Sequence, residues 1–440
     1  MNILWPTIVS IFLVGGTIGS LTGSWFADKV GRKGGLICGA VLLLIAGILF
    51  FSTKMLNSVE VLIIARFVIG LASGTITCIM PMYLTELAPL HLRGAMGVMC
   101  PLGVTFGVFI AQVMSLRHVL GTETSWPILL SLYVIVVILC CISFPFLPES
   151  PKYLYVVRRQ TRQAITILEN IRSMNVSELE SEINELEIES NDNKKRSEKT
   201  FGFWNVLTDR SLLLPLLLVC SMQAGQQFSG INAVFYYSKS TFQKAGLSEE
   251  NSEYATVGAG VVNFVMAIIS VYLMSRFNRR STFQLSALCS VVCLIILGIA
   301  ITYINAISWM PYLSVFGVLA YVCTYGIGLG PIPYFIGSEL FEVGPRPIAM
   351  AVGSMANWGG NFTVAMIFPI LQEKIGAASF YIFSFLTFML FIFVRLYLPE
   401  TKGRDPSELA QLMKSGFKSR PLSPANTSIT DTSVSEEFKK

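Results

Sequence analysis

Apolar stretches long enough to cross a lipid bilayer recur along almost the whole chain, and nothing else restricts the fold as strongly. A hydrocarbon core is about 30 Å thick, so a crossing helix needs about 20 predominantly apolar residues. Inside that layer every backbone N–H and C=O must find a partner within the protein, which leaves helices and closed barrels. The runs are continuous rather than alternating, so helices are expected. Roughly eleven can be placed, at about 5–27, 35–53, 57–80, 94–116, 126–147, 211–235, 254–275, 282–304, 310–336, 346–370 and 376–398. Of the 440 residues, 53% are hydrophobic and 13% charged, against about 25% charged in ordinary soluble domains. The composition excludes a soluble domain. The net charge of +5 lies in short loops between spans, not on one face as nucleic-acid binding requires.

Basic loops stay cytoplasmic, which orients the spans. One alternating set holds Lys29, Arg32, Lys33, Arg93, Lys152, Arg158, Arg162, Arg276, Arg279, Arg280 and Arg346. The other holds little beyond Lys54, Arg117, Lys239, Lys244 and Lys374. The long loop at 149–210 and the C-terminus are therefore expected in the cytoplasm. All nine cysteines fall in predicted spans, as small packing residues rather than a disulfide framework.

The long loop divides the chain into an N-terminal bundle (1–148, five spans), a linker (149–210), a C-terminal bundle (211–400, six spans) and a tail (401–440). The linker reads as short amphipathic helices beneath the bundle, and the tail beyond about residue 415 as disordered. Three pairs of segments echo one another between the halves. Gly31-Arg32-Lys33 matches Arg276–Arg280. Glu86 with Arg93 matches Glu339 with Arg346, and Pro148-Glu149-Ser150 matches Pro399-Glu400-Thr401. Duplicated bundles with a site at their interface are a transporter architecture.

Polar chemistry inside the spans concentrates at Gln226–Tyr237, where amides interrupt an apolar run. Uncharged amides in a membrane are costly unless they meet partners or line a wet cavity. Neutral donors and acceptors interleaved with aromatics suit a polyhydroxylated ligand, whose hydroxyls need hydrogen bonds and whose C–H faces stack on rings. Gln226, Gln227 and Asn232 are the first candidates, with interhelical hydrogen bonding as the other reading. Tyr236 and Tyr237 either close the cavity or belong to an interfacial aromatic belt. Gly326, Gly328, Gly330, Pro331 and Pro333 break a later span, as a hinge beside the cavity or a static kink. The two histidines, His91 and His118, lie in loops and no nucleophile–base pair is evident, so an enzyme, a metal or a cofactor is not expected.

These segments, in their order and spacing, resemble the sugar-porter branch of the major facilitator superfamily, and within it the animal facilitative glucose transporters. The motifs are Gly19…Asp28–Lys33, Arg66-Phe67…Gly70, Pro148–Pro151, Gln226–Tyr237, Gly330–Pro333, Gly344–Pro347, Asn357-Trp358 and Pro399–Arg404, from Trp5 to about Glu408. The resemblance implies an all-α, two-bundle fold of about eleven transmembrane helices with a cytoplasmic helical linker. It implies that the chain begins just before the family's second span. It assigns sugar contacts to Gln226, Gln227, Asn232, Asn263, Trp358 and Asn361, and to Tyr334 where the family has tryptophan. It assigns an inner gate of salt bridges to Arg32, Glu86, Arg93, Glu149, Glu339, Arg346 and Glu400. Departures stand at Pro101, where a sugar-contacting glutamine is expected, at Gly326, where an acid is usual, and at Ser275 and Asn278. The last three suggest an altered second-half gate.

The expected activity is downhill transport of a hexose, D-glucose first, by alternating access across the plasma membrane. Proton coupling needs a titratable group buried near the substrate, and no acid lies in the interior of a predicted span. Asp28, Glu86 and Glu339 sit at span ends. A proton-coupled sugar symporter stays open as an alternative, because such porters are thought to place that acid in the first span. So does a sugar-binding protein that does not transport.

Overall fold

The structure, a computed structural model, describes residues 4–418 apart from 90–91, 123, 198–202, 245, 247, 343 and 415. The tail beyond 418, with its expected disorder, lies outside the described residues. So do the side chains of Tyr236 and Tyr237.

The first half comprises α1 (Leu4–Lys29), α2 (Arg32–Leu56), α3 (Val59–Leu87), α4 (Arg93–Met114), and the short pair α5 (Trp126–Ser131) and α6 (Tyr133–Ser143). The linker carries α7 (Thr161–Arg172), α8 (Glu180–Ser197) and α9 (Phe203–Thr208). The second half comprises α10 (Arg210–Phe228), α11 (Ile231–Lys244), α12 (Glu249–Arg276), α13 (Arg279–Thr302), α14 (Met310–Thr324), α15 (Ile332–Leu340), α16 (Arg346–Ile375) and α17 (Ser379–Tyr397), followed by α18 (Pro406–Leu412). Among the described residues ten stretches are long and apolar enough to cross a membrane, and the last of them, Arg346–Tyr397, contains both α16 and α17. The expected spans are found, generally longer at their ends because the helices project past the apolar layer.

Large apolar side chains such as Ile48, Phe51, Phe316 and Phe385 are exposed on the bundle exterior, as lipid contact requires. Helices in lipid gain little from burying Leu against Leu, so they associate where small residues admit close approach. A Cβ on Gly19, Gly70 or Gly74 would collide with a backbone carbonyl of the facing helix, which is why α1 and α3 pack tightly.

Two seams join the halves, α1 along α16 and α4 along α12. On the first seam Ser20 and Ser354 share a buried hydrogen bond of 2.8 Å, and Gly16 leaves room for the indole of Trp358.

Two helices of the second half are discontinuous, and both breaks face the same interior. α10 passes into α11 at Ser229-Gly230, where Gly230 has φ +80° and an added Cβ would lie 2.6 Å from the Phe383 ring. Only glycine satisfies both constraints. α14 passes into α15 through a π turn at Tyr325–Leu329 followed by Gly330-Pro331. The second break holds Gly326, Gly328, Gly330 and Pro331, while the fifth hinge candidate, Pro333, lies in the first turn of α15. Gly328 is pressed against Thr282 O of α13, 2.8 Å from where its Cβ would be, so the break doubles as a packing surface.

Candidate functional site

The breaks bring amides from three helices into one network. α10 supplies Gln223, Gln226 and Gln227, α11 supplies Asn232, and α16 supplies Asn357 and Asn361. Asn357 is the hub. Its Nδ2 donates to Gln226 Oε1 at 2.7 Å and Gln223 Oε1 at 3.0 Å, and its Oδ1 accepts from Gln227 Nε2 at 3.2 Å. Asn232 Nδ2 donates to Gln227 Oε1 and to Asn361 Oδ1, each at 3.1 Å. The second broken helix completes the set through its carbonyls. Gln226 Nε2 donates to Gly330 O at 2.5 Å and Gln223 Nε2 to Pro333 O at 2.9 Å. These amides thus tie α10 to the backbone of the second break at Gly330 and Pro333.

The network has a dry root and a reachable end. Gln223, Gln226 and Gln227 are buried, while Asn232, Asn357, Asn361 and Trp358 are half-buried. Trp358 stacks edge-on against Phe12 of α1 with ring centroids 5.3 Å apart, so the seam between the halves closes beside the amides. Tyr334 is half-buried on α15, next to the Pro333 carbonyl.

Of the candidates, Gln227, Asn232 and Asn361 form a direct chain, Gln226 joins them through Asn357, and Trp358 adjoins Asn357 in sequence. Asn263 stands apart. It is buried on α12, and among the described residues no hydrogen bond ties it to the others. One turn before it, Gly260 takes the side chain of Gln112 from α4, whose Oε1 is buried without a hydrogen-bond partner. Sequence reasoning passed over Gln223, Asn357 as a hub, and Gln112. A solitary amide in a span carries no signal of which face it occupies. For Asn357 and Gln223 the available signal was helical spacing, since Asn357 precedes Asn361 by four residues and Gln223 precedes Gln227 by four.

The charged candidates form two copies of one cluster at the linker face. In the first half, Arg32 grips Glu86 through Nε at 3.0 Å and Nη2 at 3.1 Å, and Ser150 Oγ donates to Glu86 at 2.6 Å. Glu149 accepts the backbone N–H groups of Arg32, Lys33 and Ser150. In the second half, Arg279 Nη2 reaches Glu339 at 3.3 Å and Thr401 Oγ1 donates to Glu339 at 2.5 Å. Glu400 accepts the N–H groups of Arg279, Arg280 and Lys402. The departures at Ser275, Asn278 and Gly326 leave this bond pattern intact. Asn278 changes the backbone, with φ −72° where Gly31 has 96°.

Most of these bonds stay within one half. The halves are tied by Arg346 Nη1 to Glu86 at 3.5 Å and Arg93 Nη1 to Asp405 at 3.9 Å. The linker straddles them. Glu185 of α8 pairs with Arg93 at 2.8 Å and Lys152 at 3.1 Å, and Glu189 lies 3.9 Å from Arg346. Burial would push the Glu185 carboxyl up, but Lys152 and Arg93 outweigh it and pull it down to about 2. At the opposite face Arg117, just beyond α4, pairs with Glu249 and, at 3.3 Å, with Glu253 of α12.

Two duplicated bundles, lipid-facing exteriors and a polar network between broken helices define a membrane transporter built to move a neutral, hydrogen-bonding solute. The profile described as "Sugar (and other) transporter" matches residues 1–413. The chain is 38% identical over 420 residues to solute carrier family 2, facilitated glucose transporter member 1 of Gallus gallus, covering 96% of this chain and 84% of that protein. It is 40% identical over 412 residues to member 3 of Rattus norvegicus, covering 93% and 82%. Its fold superposes with a TM-score of 0.81 on a major-facilitator proton:xylose symporter bound to 6-bromo-6-deoxy-D-glucose, at 24% identity over 94% of this chain and 90% of that one. The chain belongs to the sugar transporter family, has the major-facilitator fold, and is an integral membrane protein.

Proposed function

We propose that the chain is a facilitative hexose uniporter, with D-glucose as its first substrate, working by alternating access. The observation that carries this reading is the network of six uncharged amides flanked by Trp358 and Tyr334. In this reading Gln226, Gln227, Asn232, Asn361, Trp358 and Tyr334 contact the sugar, and Asn263 faces it from α12. The hinge at Gly326–Pro333 moves the amides' carbonyl partners, and the linker-face pairs hold that side shut while the sugar enters opposite. A bundle that alternates needs two states close in energy, which weak, breakable ion pairs permit.

Uniport is favoured over proton symport by how the nearest acids are engaged. Glu86 is held by Arg32 and Arg346, and Glu339 by Arg279. An acid committed to an arginine is a poor proton carrier. The family relatives named for glucose support the substrate, and the basic loops support a cytoplasmic linker face and C-terminus in a plasma membrane. The test is uptake of labelled D-glucose into proteoliposomes with and without an inward proton gradient. Saturable uptake that stops at the external concentration under both conditions is expected. Accumulation driven by the gradient would establish symport instead, and saturable binding without flux would establish a sensor.

A further inference from the structure

We infer that Tyr321 is a positioning residue for the sugar site, acting through Ser229 on the amides of α10; this rests on the sugar-site reading above. At the break between α10 and α11 the helix ladder is interrupted, and the Ser229 carbonyl falls between two helices. The Tyr321 hydroxyl, on α14, donates to that carbonyl at 2.9 Å and lies 3.0 Å from Ser229 Oγ. Ser229 Oγ in turn donates to Gln226 O at 2.6 Å. Tyr321 and Ser229 are both fully buried, and the Tyr321 hydroxyl is engaged by Ser229, so its role runs through the turn.

The arrangement holds Gln226 from both ends. Tyr321 fixes the backbone turn that carries it, and Gly330, two turns further along the same broken helix as Tyr321, fixes its side chain at 2.5 Å. A hinge movement at Tyr325–Pro333 is thereby transmitted to Gln226 along two routes. Interhelical bonding of no functional consequence predicts the same bonds, so the distinction must come from ligand recognition. If Tyr321 aims the amides, removing its hydroxyl weakens the contact they make with one particular sugar hydroxyl. If it only joins helices, every sugar suffers alike or none does.

The experiment measures zero-trans uptake of labelled D-glucose by the full chain in proteoliposomes, with competition by the 1-, 2-, 3-, 4- and 6-deoxyglucoses, for the native protein and Tyr321→Phe. We expect the glucose KM to rise about fivefold, the change that one hydrogen bond's net contribution corresponds to, with kcat within about twofold. The deoxyglucose lacking the hydroxyl read by the amides should lose much less than fivefold, while the others follow glucose. An equal loss across all analogues, or a fall in kcat at unchanged KM, would overturn the positioning role. Should Tyr321→Phe not reach the membrane, Ser229→Ala breaks only the second link. It should give the same analogue pattern at smaller size, and a uniform pattern would again overturn the role. Absence of saturable uptake and binding by the native protein would instead overturn the sugar-site reading, and this role with it.

Discussion

At the residue scale the chain solves the problem of putting amides in oil by letting them satisfy one another. Each glutamine or asparagine carries two donors and an acceptor with two lone pairs, and one alone in a helix leaves most of that capacity unmet. Asn357 resolves this for three glutamines at once. Replacing it by alanine strips a partner from each, at about 1–3 kcal/mol per stranded buried group. Asn357→Ala is therefore expected to weaken glucose binding about tenfold or more and to lower the melting temperature in detergent by several degrees. Asn361→Ala, at the reachable end and, among the described residues, bonded to Asn232 alone in this network, should weaken binding with little change in melting. Titration of ligand-induced melting shifts measures both, and equal behaviour of the two variants would deny Asn357 its hub role. Gln226, Gln227 and Asn232 stood out in the sequence because polar residues cluster there. Gln223 did not, because one amide among Leu, Val and Met looks like any interhelical hydrogen bond.

At the element scale two kinds of helix do the work, broken ones inside the second half and an acidic one outside. The break at Gly326–Pro333 was legible because glycine and proline disfavour helix whatever surrounds them. The break at Ser229-Gly230 was less so, since one glycine is tolerated in a span and only Phe383 pressing on it makes it obligatory. Helix α8 is held by charge. Its Glu185 is drawn well below the ordinary carboxylate range by Lys152 and Arg93, so its contribution is present above the unfolded value of 4.5 and is lost as pH falls towards about 2. Amides of α8 should accordingly gain hydrogen–deuterium exchange as pH is lowered from about 5 to 3, after correction for intrinsic rates. Glu185→Gln should exchange faster at neutral pH and lose most of that dependence. A pH-independent α8 in the native protein would show that packing, not charge, docks it.

At the scale of the whole molecule the halves meet along two seams and are pinned at both faces. Arg346–Glu86 and Arg93–Asp405 act at the linker face, and Arg117 with Glu249 and Glu253 acts opposite. Exposed pairs such as Arg117 with Glu249 contribute about 0–1 kcal/mol each, while removing one partner of a buried pair such as Arg346–Glu86 costs about 3–5 kcal/mol, and either shifts the balance between states of similar energy. Arg346→Ala should open the linker face and Arg117→Glu the other. Spin-label distances between α4 and α12 near each face would lengthen at one face and not the other. Both variants widening the same face would refute this division of labour.

What the sequence by itself determined is whatever follows from local composition: the crossing helices, the basic loops, the proline–glycine break, the duplicated motifs and the first three amides. Those signals survive without knowledge of neighbours because bilayer thickness and backbone satisfaction act on each segment separately. The tertiary structure decided which polar groups face each other. It made Asn357 the hub, set Gln112 against Gly260, separated Asn263 from the network, and chose Glu86 rather than Glu339 as the acid Arg346 shares across the halves. Each is a matter of helix rotation and of the angle at a break, which hydrophobic runs of nearly uniform composition leave open. The amides in the span announced a polar site, and only the packing of α10, α11 and α16 gave it a shape.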